Sequence, residues 1–217
     1  MYNAQVCQDN FVDIITKNKK NGYFLDIGAG TGGLRGQYNG FYSNTYYFEH
    51  LGWNGIAIDC DIDYINEASI YRKCKLIHAD LFNKNINDIL RECKAPQVID
   101  YLSFDVDDAT MKVLHDMDLS LCQFNVITFE HNYFHYESKP AWSNEKSQKE
   151  SKLLREISRE KFVSNGYKLL CADVLLNGHN SIEDWYIHKN MLDNRIEKIE
   201  CSYKDCKKII EDSQNLQ

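Results

Sequence analysis

The sequence predicts an α/β protein: a mostly parallel sheet with helices on both faces. Two observations carry that expectation. Five short apolar runs alternate with segments of helical periodicity, and each run ends in an acidic residue. The first run then breaks into Gly28-Ala29-Gly30-Thr31-Gly32-Gly33, four glycines within six positions. Strands that alternate with helices need right-handed crossovers, which make the sheet parallel. Ligands of such sheets sit at the carboxyl ends of the strands.

Taken in order, residues 4–20 place Val6, Phe11, Val12, Ile14 and Ile15 at near-helical spacing, with lysines gathered at the end, where they complement the helix dipole. A leading helix is expected there. Residues 23–27 have the length of a buried strand and lead into the glycines. Ser43 is placed to cap a short helix that stops at Gly52. The run 55–58 ends in Asp59, with a helix expected from Asp61 to about Tyr71, and the run 75–79 ends in Asp80. An amphipathic segment, 86–93, precedes the run 98–104, which ends in Asp105-Val106-Asp107-Asp108. The fifth run, 124–129, ends in Glu130-His131-Asn132. Residues 136–151 have the composition of a loop able to cover a site. A helix over 146–164 stops at Gly166; strands are expected over 167–176 and 184–188, the last hairpin-like, and the tail 195–217 reads as a weakly amphipathic helix. With no repeat, linker or low-complexity block, residues 1–217 are expected to form a single domain: leading helix 4–20, core 22–189, tail 190–217.

Composition narrows the function. A chain of 217 residues can bury one sizeable α/β core. Its net charge of -7 and pI near 5.5 argue against gripping nucleic acid through phosphates. The lysines at 17, 19 and 20 read as a solvated helix end. Eight cysteines without a Cys-x-x-Cys pair argue against a structural zinc and are expected to be mostly reduced and buried. The first ten residues lack the pattern of a signal peptide, and no 18-residue apolar run exists, so a cytoplasmic protein without a membrane span is expected. Self-association is left open.

The glycine stretch is expected to approach a nucleotide-like cofactor, because glycines turn sharply and keep side chains out of the way. Gly28, Gly30 and Gly33 satisfy the dinucleotide spacing G-x-G-x-x-G. Two features count against a dinucleotide such as NAD. Asp26 places a carboxylate just before the first glycine, and residues 34–40 make a poor helix start. A cofactor with cationic groups suits that carboxylate better, and S-adenosylmethionine, with its sulfonium and α-ammonium, is one.

Several blocks together resemble the FkbM family of class I S-adenosylmethionine-dependent methyltransferases. They are Phe24-Leu25-Asp26-Ile27-Gly28-Ala29-Gly30; Ser43-Asn44-Thr45-Tyr46-Tyr47-Phe48-Glu49 with Leu51-Gly52-Trp53-Asn54-Gly55; and Ile99-Asp100-Tyr101-Leu102-Ser103-Phe104-Asp105-Val106-Asp107. Thr128-Phe129-Glu130-His131-Asn132-Tyr133, Gly166-Tyr167 and Asp184-Trp185-Tyr186 continue the likeness in order, so that it spans residues 22–188. The chain departs from the family at Asp59-Cys60, where Glu-Pro is usual, and at Asp107-Asp108 and Thr110, where Glu-Gly and a second Glu are usual. The resemblance implies a Rossmann-like, seven-stranded sheet with its last strand antiparallel. It also implies O-methylation, often of a sugar.

Carried over to this sequence, Gly28 and Gly30 would meet the methionine part of the donor with Asp26 near its ammonium. Asp59 would accept from the ribose hydroxyls and Asp80 from the adenine amino group. Ser43 and Asn44 would close over the cofactor, Ser43 serving equally well as a plain helix cap. Asp105 also faces this edge. A sugar hydroxyl needs a base or a metal ion to make it a competent nucleophile. Asp105 and Glu130, with His131 or Asn132, are candidate ligands for Mg²⁺ or Mn²⁺, and His131 or Asp107 for the base. The competing view makes Asp105 and Glu130 ordinary hydrogen-bonding groups and His131 the base on its own. Tyr133, Phe134, Tyr136 and Trp142 offer apolar faces to a carbohydrate. Two other functions stay open: methylation of a phenolic or lipid-linked small molecule, and a non-catalytic module that binds an adenosine ligand. An NAD-dependent oxidoreductase ranks below both.

Overall fold

The computed structural model of the chain describes residues 2–30, 42–196 and 205–214. Gly32, Gly33, the stretch 34–40 and part of the tail lie outside the described residues. Seven strands form a mixed sheet in the order β3-β2-β1-β4-β5-β7-β6, and the chain divides into two compact units, residues 1–125 and 126–217.

The first unit holds α1 (Gln8–Ile15), β1 (Tyr23–Ile27), α2 (Tyr46–His50), β2 (Asn54–Asp59), α3 (Ile62–Ala68), β3 (Lys75–His78), α4 (Ile86–Glu92), β4 (Val98–Phe104) and α5 (Thr110–Asp116). β1 pairs in parallel with β2 and β4, and β2 with β3. Parallel strands are buried on both faces and so read as unbroken apolar runs. Phe24, Leu25 and Ile27 of β1, Ile56 to Ile58 of β2 and Ile99, Tyr101, Leu102 and Phe104 of β4 are all buried. The chain runs outward from β1 to β3 and then returns to place β4 on the other side of β1. That reversal is the topological switch point at which open α/β sheets bind ligands. Asp61 and Asn85 cap α3 and α4 by accepting from the N–H groups of Asp63 and Asn87.

The second unit holds most of β5 (Gln123–Glu130), then α6 (Phe134–Glu137), α7 (Glu145–Ser164), β6 (Tyr167–Leu176), β7 (Asn180–His188) and α8 (Cys206–Gln214). β7 pairs antiparallel with both β5 and β6. The β6–β7 reversal turns on Asn177 and Gly178, both at positive φ, with His179 N–H donating to Leu176 O at 3.2 Å. This is the turn whose twist matches that of paired strands.

The strand expectations hold, with corrections elsewhere and in length: α3 ends at Ala68, short of the expected Tyr71, and the end of α6 and the start of α7 fall within 136–151, expected as loop. The leading helix is only Gln8–Ile15, because Cys7 before it and Lys17 and Asn18 after it adopt left-handed backbone. β7 begins at Asn180, four residues before the expected start, because the tight turn lets the ladder close early. The short helices α5 and α6 had no clear sequence signal. Among the described residues six cysteines are free thiols, at positions 7, 60, 74, 93, 122 and 206, while Cys171 is disulfide-bonded. Among the described residues no helix is long and apolar enough to cross a membrane.

Candidate functional site

At the carboxyl end of β1 the backbone is drawn tightly between its neighbours. Gly28 and Ala29 both donate to Ile58 O, at 2.9 and 3.0 Å, and Asp105 N–H donates to Ile27 O at 2.9 Å. Gly28 has φ +82°, and a Cβ there would stand 1.5 Å from the carbonyl oxygen of Asp105. Only glycine fits. Two residues on, Gly30 N–H donates to Asp59 Oδ2 at 2.8 Å, while Asp59 Oδ1 accepts from Asp61 N–H at 2.8 Å. The carboxylate at the end of β2 therefore pins the glycine loop to the start of α3. A carboxylate has about four acceptor positions, so these two bonds leave Asp59 room for a diol.

Asp26 is 2% exposed. Its Oδ2 accepts from Thr45 Oγ1 at 2.5 Å, and Thr45 Oγ1 accepts from Arg72 Nη2 at 2.7 Å. Arg72 Nε donates to Glu49 Oε1 at 2.7 Å, and the N–H of Lys73 donates to Glu49 Oε2 at 2.7 Å. Burial pushes the Asp26 carboxyl above its ordinary value, and the positive charge of Arg72 is the largest influence pulling it back. Ser43 is buried, and its hydroxyl accepts from Tyr46 N–H at 3.1 Å, the capping role weighed above. Asn44 Nδ2 donates to Ser103 Oγ at 3.0 Å, while Asn44 Oδ1 is buried without a hydrogen-bond partner. Such an orphan acceptor fits a ligand that brings a donor.

Asp80 is exposed beyond β3 and folds back on its own turn, accepting from Phe82 N–H at 2.9 Å and Asn83 Nδ2 at 2.6 Å. Near Asp59 and Asp80 in sequence stand Ile62 and Phe82, 46% and 52% exposed, too open for core residues. Asp105 is half-buried, and Asp107 is exposed at φ 44°.

In the second unit Glu130 is half-buried at the end of β5, and the N–H groups of His131 and Asn132 both donate to Ile182 O at 2.8 Å. His131 is 1% exposed. Its Nδ1 accepts from Tyr133 N–H at 3.1 Å, which puts the proton of the neutral ring on Nε2. Nε2 lies 3.3 Å from Asp184 Oδ1 and 3.9 Å from Asp173 Oδ1. Arg155 grips Asp173 through two bonds of 2.6 and 2.7 Å. Arg159 grips Asp184 at 2.7 and 2.8 Å and reaches Asp173 at 3.0 Å. These arginines hold both carboxyls below their ordinary values against the opposing effect of burial.

The ligand atoms of His131, Asp173 and Asp184 lie within 4.8 Å of one another. Two guanidinium charges already balance the two carboxylates, which leaves no net negative charge to attract a cation. Of the two ring nitrogens of His131, expected as base or metal ligand, Nδ1 is occupied by Tyr133 N–H and Nε2 faces a buried ion-pair network. His188 is likewise structural, its Nδ1 accepting from Asn190 N–H at 3.3 Å.

The first unit thus gathers Asp26, Gly28, Gly30, Ser43, Asn44 and Asp59 with the backbone of Asp105. Sequence reasoning missed Thr45, Arg72 and Glu49, which hold this edge from behind, and the partners of Asp173 and Asp184. Two adjacent acids, Glu183 and Asp184, between Ile182 and Trp185, and Arg155 and Arg159 four apart on one helix face, were the available signals for the latter.

Residues 78–169 match the family model described as the Methyltransferase FkbM domain. No curated protein matches the sequence. Among solved structures, a candidate caffeoyl-CoA O-methyltransferase from Staphylococcus aureus superposes with a TM-score of 0.58 at 12% identity, over 87% of this chain and 85% of that one. The O-methyltransferase TomG from Streptomyces achromogenes, involved in tomaymycin synthesis and solved with S-adenosylmethionine, gives 0.55 at 10% identity over 83% and 79%. At these identities the likeness is one of fold.

Proposed function

We propose that this chain, which carries a methyltransferase FkbM domain over residues 78–169, transfers a methyl group from S-adenosylmethionine to a hydroxyl oxygen of a sugar. The observation that carries the donor half is the bond from Gly30 N–H to Asp59, which joins a segment whose Gly28 leaves no room for a Cβ to a carboxylate with acceptor capacity to spare. Asp59 takes the ribose hydroxyls, with charge-assisted bonds. Ile62 and Phe82 give the adenine an apolar lining, and Asp80 accepts from its amino group. Asp26 and the orphan Oδ1 of Asn44 serve the α-ammonium.

The bound donor supplies an electrophilic methyl on a positively charged sulfur. The protein aligns the acceptor oxygen with that methyl, a contribution of up to about 7–11 kcal/mol, and removes the hydroxyl proton. Asp107, exposed and on a strained backbone, takes the base role in this proposal. Metal assistance is carried forward from the strand-end pattern of the sequence: Asp105 and Glu130 offer the hard oxygen ligands that Mg²⁺ or Mn²⁺ prefers. Tyr133, Tyr136 and Trp142, the last 70% exposed, give the acceptor a stacking face. A cytoplasmic site of action is proposed from the six free thiols, with the Cys171 disulfide as the opposing observation.

A second reading takes a non-sugar small molecule as acceptor, because both solved relatives named above are described as O-methyltransferases of other compounds. Incubation with labelled S-adenosylmethionine and panels of glycosides and phenols, with EDTA or with added Mg²⁺ or Mn²⁺, tests these statements. Transfer to glycosides is expected, reduced by EDTA. Transfer to phenols alone selects the second reading, and transfer indifferent to EDTA removes the metal.

A further inference from the structure

The side chain that braces the donor edge comes from the connection between α3 and β3. Arg72 is 7% exposed, and all three of its guanidinium nitrogens face the α2 segment: Nε on Glu49 at 2.7 Å, Nη2 on Thr45 Oγ1 at 2.7 Å and Nη1 3.5 Å from Ser43 Oγ. Its charge is already neutralised by Glu49, which meets the usual demand of a buried cation for a partner. The bond to Thr45 does something else. A hydroxyl that accepts from a guanidinium turns its single proton elsewhere, and here that proton goes to Asp26 Oδ2 at 2.5 Å.

We propose that Arg72 is a positioning residue for the methyl donor: through Thr45 it fixes the Asp26 carboxyl group in one orientation, beside Gly28, where the α-ammonium binds. The inference rests on the donor site proposed above. Several surrounding groups bear on the charge of Asp26. Burial and the neighbouring Asp59 push its carboxyl up, while Arg72 first, then the hydroxyls of Thr45 and Ser103, bring it down. Glu49, Cys74 and Tyr46, whose ring lies 5.9 Å from the Arg72 guanidinium carbon, are further titratable groups at Arg72, and burial pushes the Cys74 thiol up. Without Arg72 the carboxyl of Asp26 would rise further. Donor affinity would then be complete at high pH and lost as pH falls through the new value.

Calorimetric titration of the intact chain between roughly pH 5 and pH 8, with S-adenosylmethionine and with methylthioadenosine, tests this. The second ligand keeps the adenosine and the sulfur but has no ammonium. Arg72→Met and Thr45→Val are each expected to weaken S-adenosylmethionine by about tenfold or more, the worth of one charge-assisted hydrogen bond, and increasingly as pH falls. Methylthioadenosine should bind as it does to the unaltered chain, and Arg72→Lys should recover part of the loss. Equal losses for both ligands, or a loss independent of pH, would make Arg72 a packing residue and overturn the proposal. If Arg72→Met does not fold, Thr45→Val, which removes only the relay, decides by the same two criteria. An unaltered chain that binds neither ligand refutes the donor site itself, a result distinct from either.

Discussion

Gly28 determines how closely the end of β1 can approach β4. Because a Cβ at this position would stand 1.5 Å from a backbone oxygen at a φ of +82°, Gly28→Ala must displace one strand end or the other. Its expected cost is about 1–3 kcal/mol of stability, read by denaturant titration, together with loss of donor affinity. A variant with intact affinity would separate Gly28 from the donor. Asp59→Asn keeps the shape and removes the charge. Since a hydrogen bond to a charged group contributes about 1.5–3 kcal/mol, S-adenosylmethionine should bind roughly ten- to a hundredfold more weakly in calorimetry, and unchanged binding would mean that the ribose lies elsewhere.

At the scale of elements, α7 is fastened to β6 and β7 by charge as much as by apolar contact. Arg155 and Arg159 meet Asp173 and Asp184 in a largely buried network. Removing one partner of such a network costs about 3–5 kcal/mol, which is the expected destabilisation of Asp184→Asn in chemical denaturation. The pH dependence follows from the depressed carboxyls of Asp173 and Asp184. Their contribution is complete above the unfolded carboxylate value near 4 and disappears as pH falls through the lower folded values. Acid unfolding followed by circular dichroism should therefore shift to higher pH in Arg159→Met, and an unchanged acid midpoint would show the network to be energetically idle. Strand positions were legible in the sequence because buried parallel strands are unbroken apolar runs; β4 and β6 fall where they were expected. α1 was overextended because apolar spacing says nothing of the left-handed residues Cys7 and Lys17 that end it. The position of His131 at a strand end was legible, whereas the arginines that pair with its carboxylate neighbours come from another element and were not.

For the molecule as a whole, the proposal places the donor at the switch point of the first unit, where Gly28, Gly30 and Asp59 meet. A ligand that binds only the folded chain stabilises it by about 2.7 kcal/mol at a concentration of 100 times its Kd. S-adenosylmethionine should accordingly raise the thermal midpoint of the intact protein, and Asp59→Asn should cut the rise to about half or less. No rise in the unaltered chain would count against donor binding altogether. What the sequence could show of this edge were the groups proposed to meet the donor, Asp26, Gly28, Gly30 and Asp59. It could not show Thr45, Arg72 and Glu49, because their relation to Asp26 exists only once the chain returns from α3 to β3.

The Asn177–Gly178 reversal between β6 and β7 has a practical use. Nothing lies within 4 Å of a side chain built at Gly178, and chain reversals of this kind tolerate insertion. An epitope or fluorophore grafted there would report on the folding of the hairpin while leaving the glycine loop and its acids untouched.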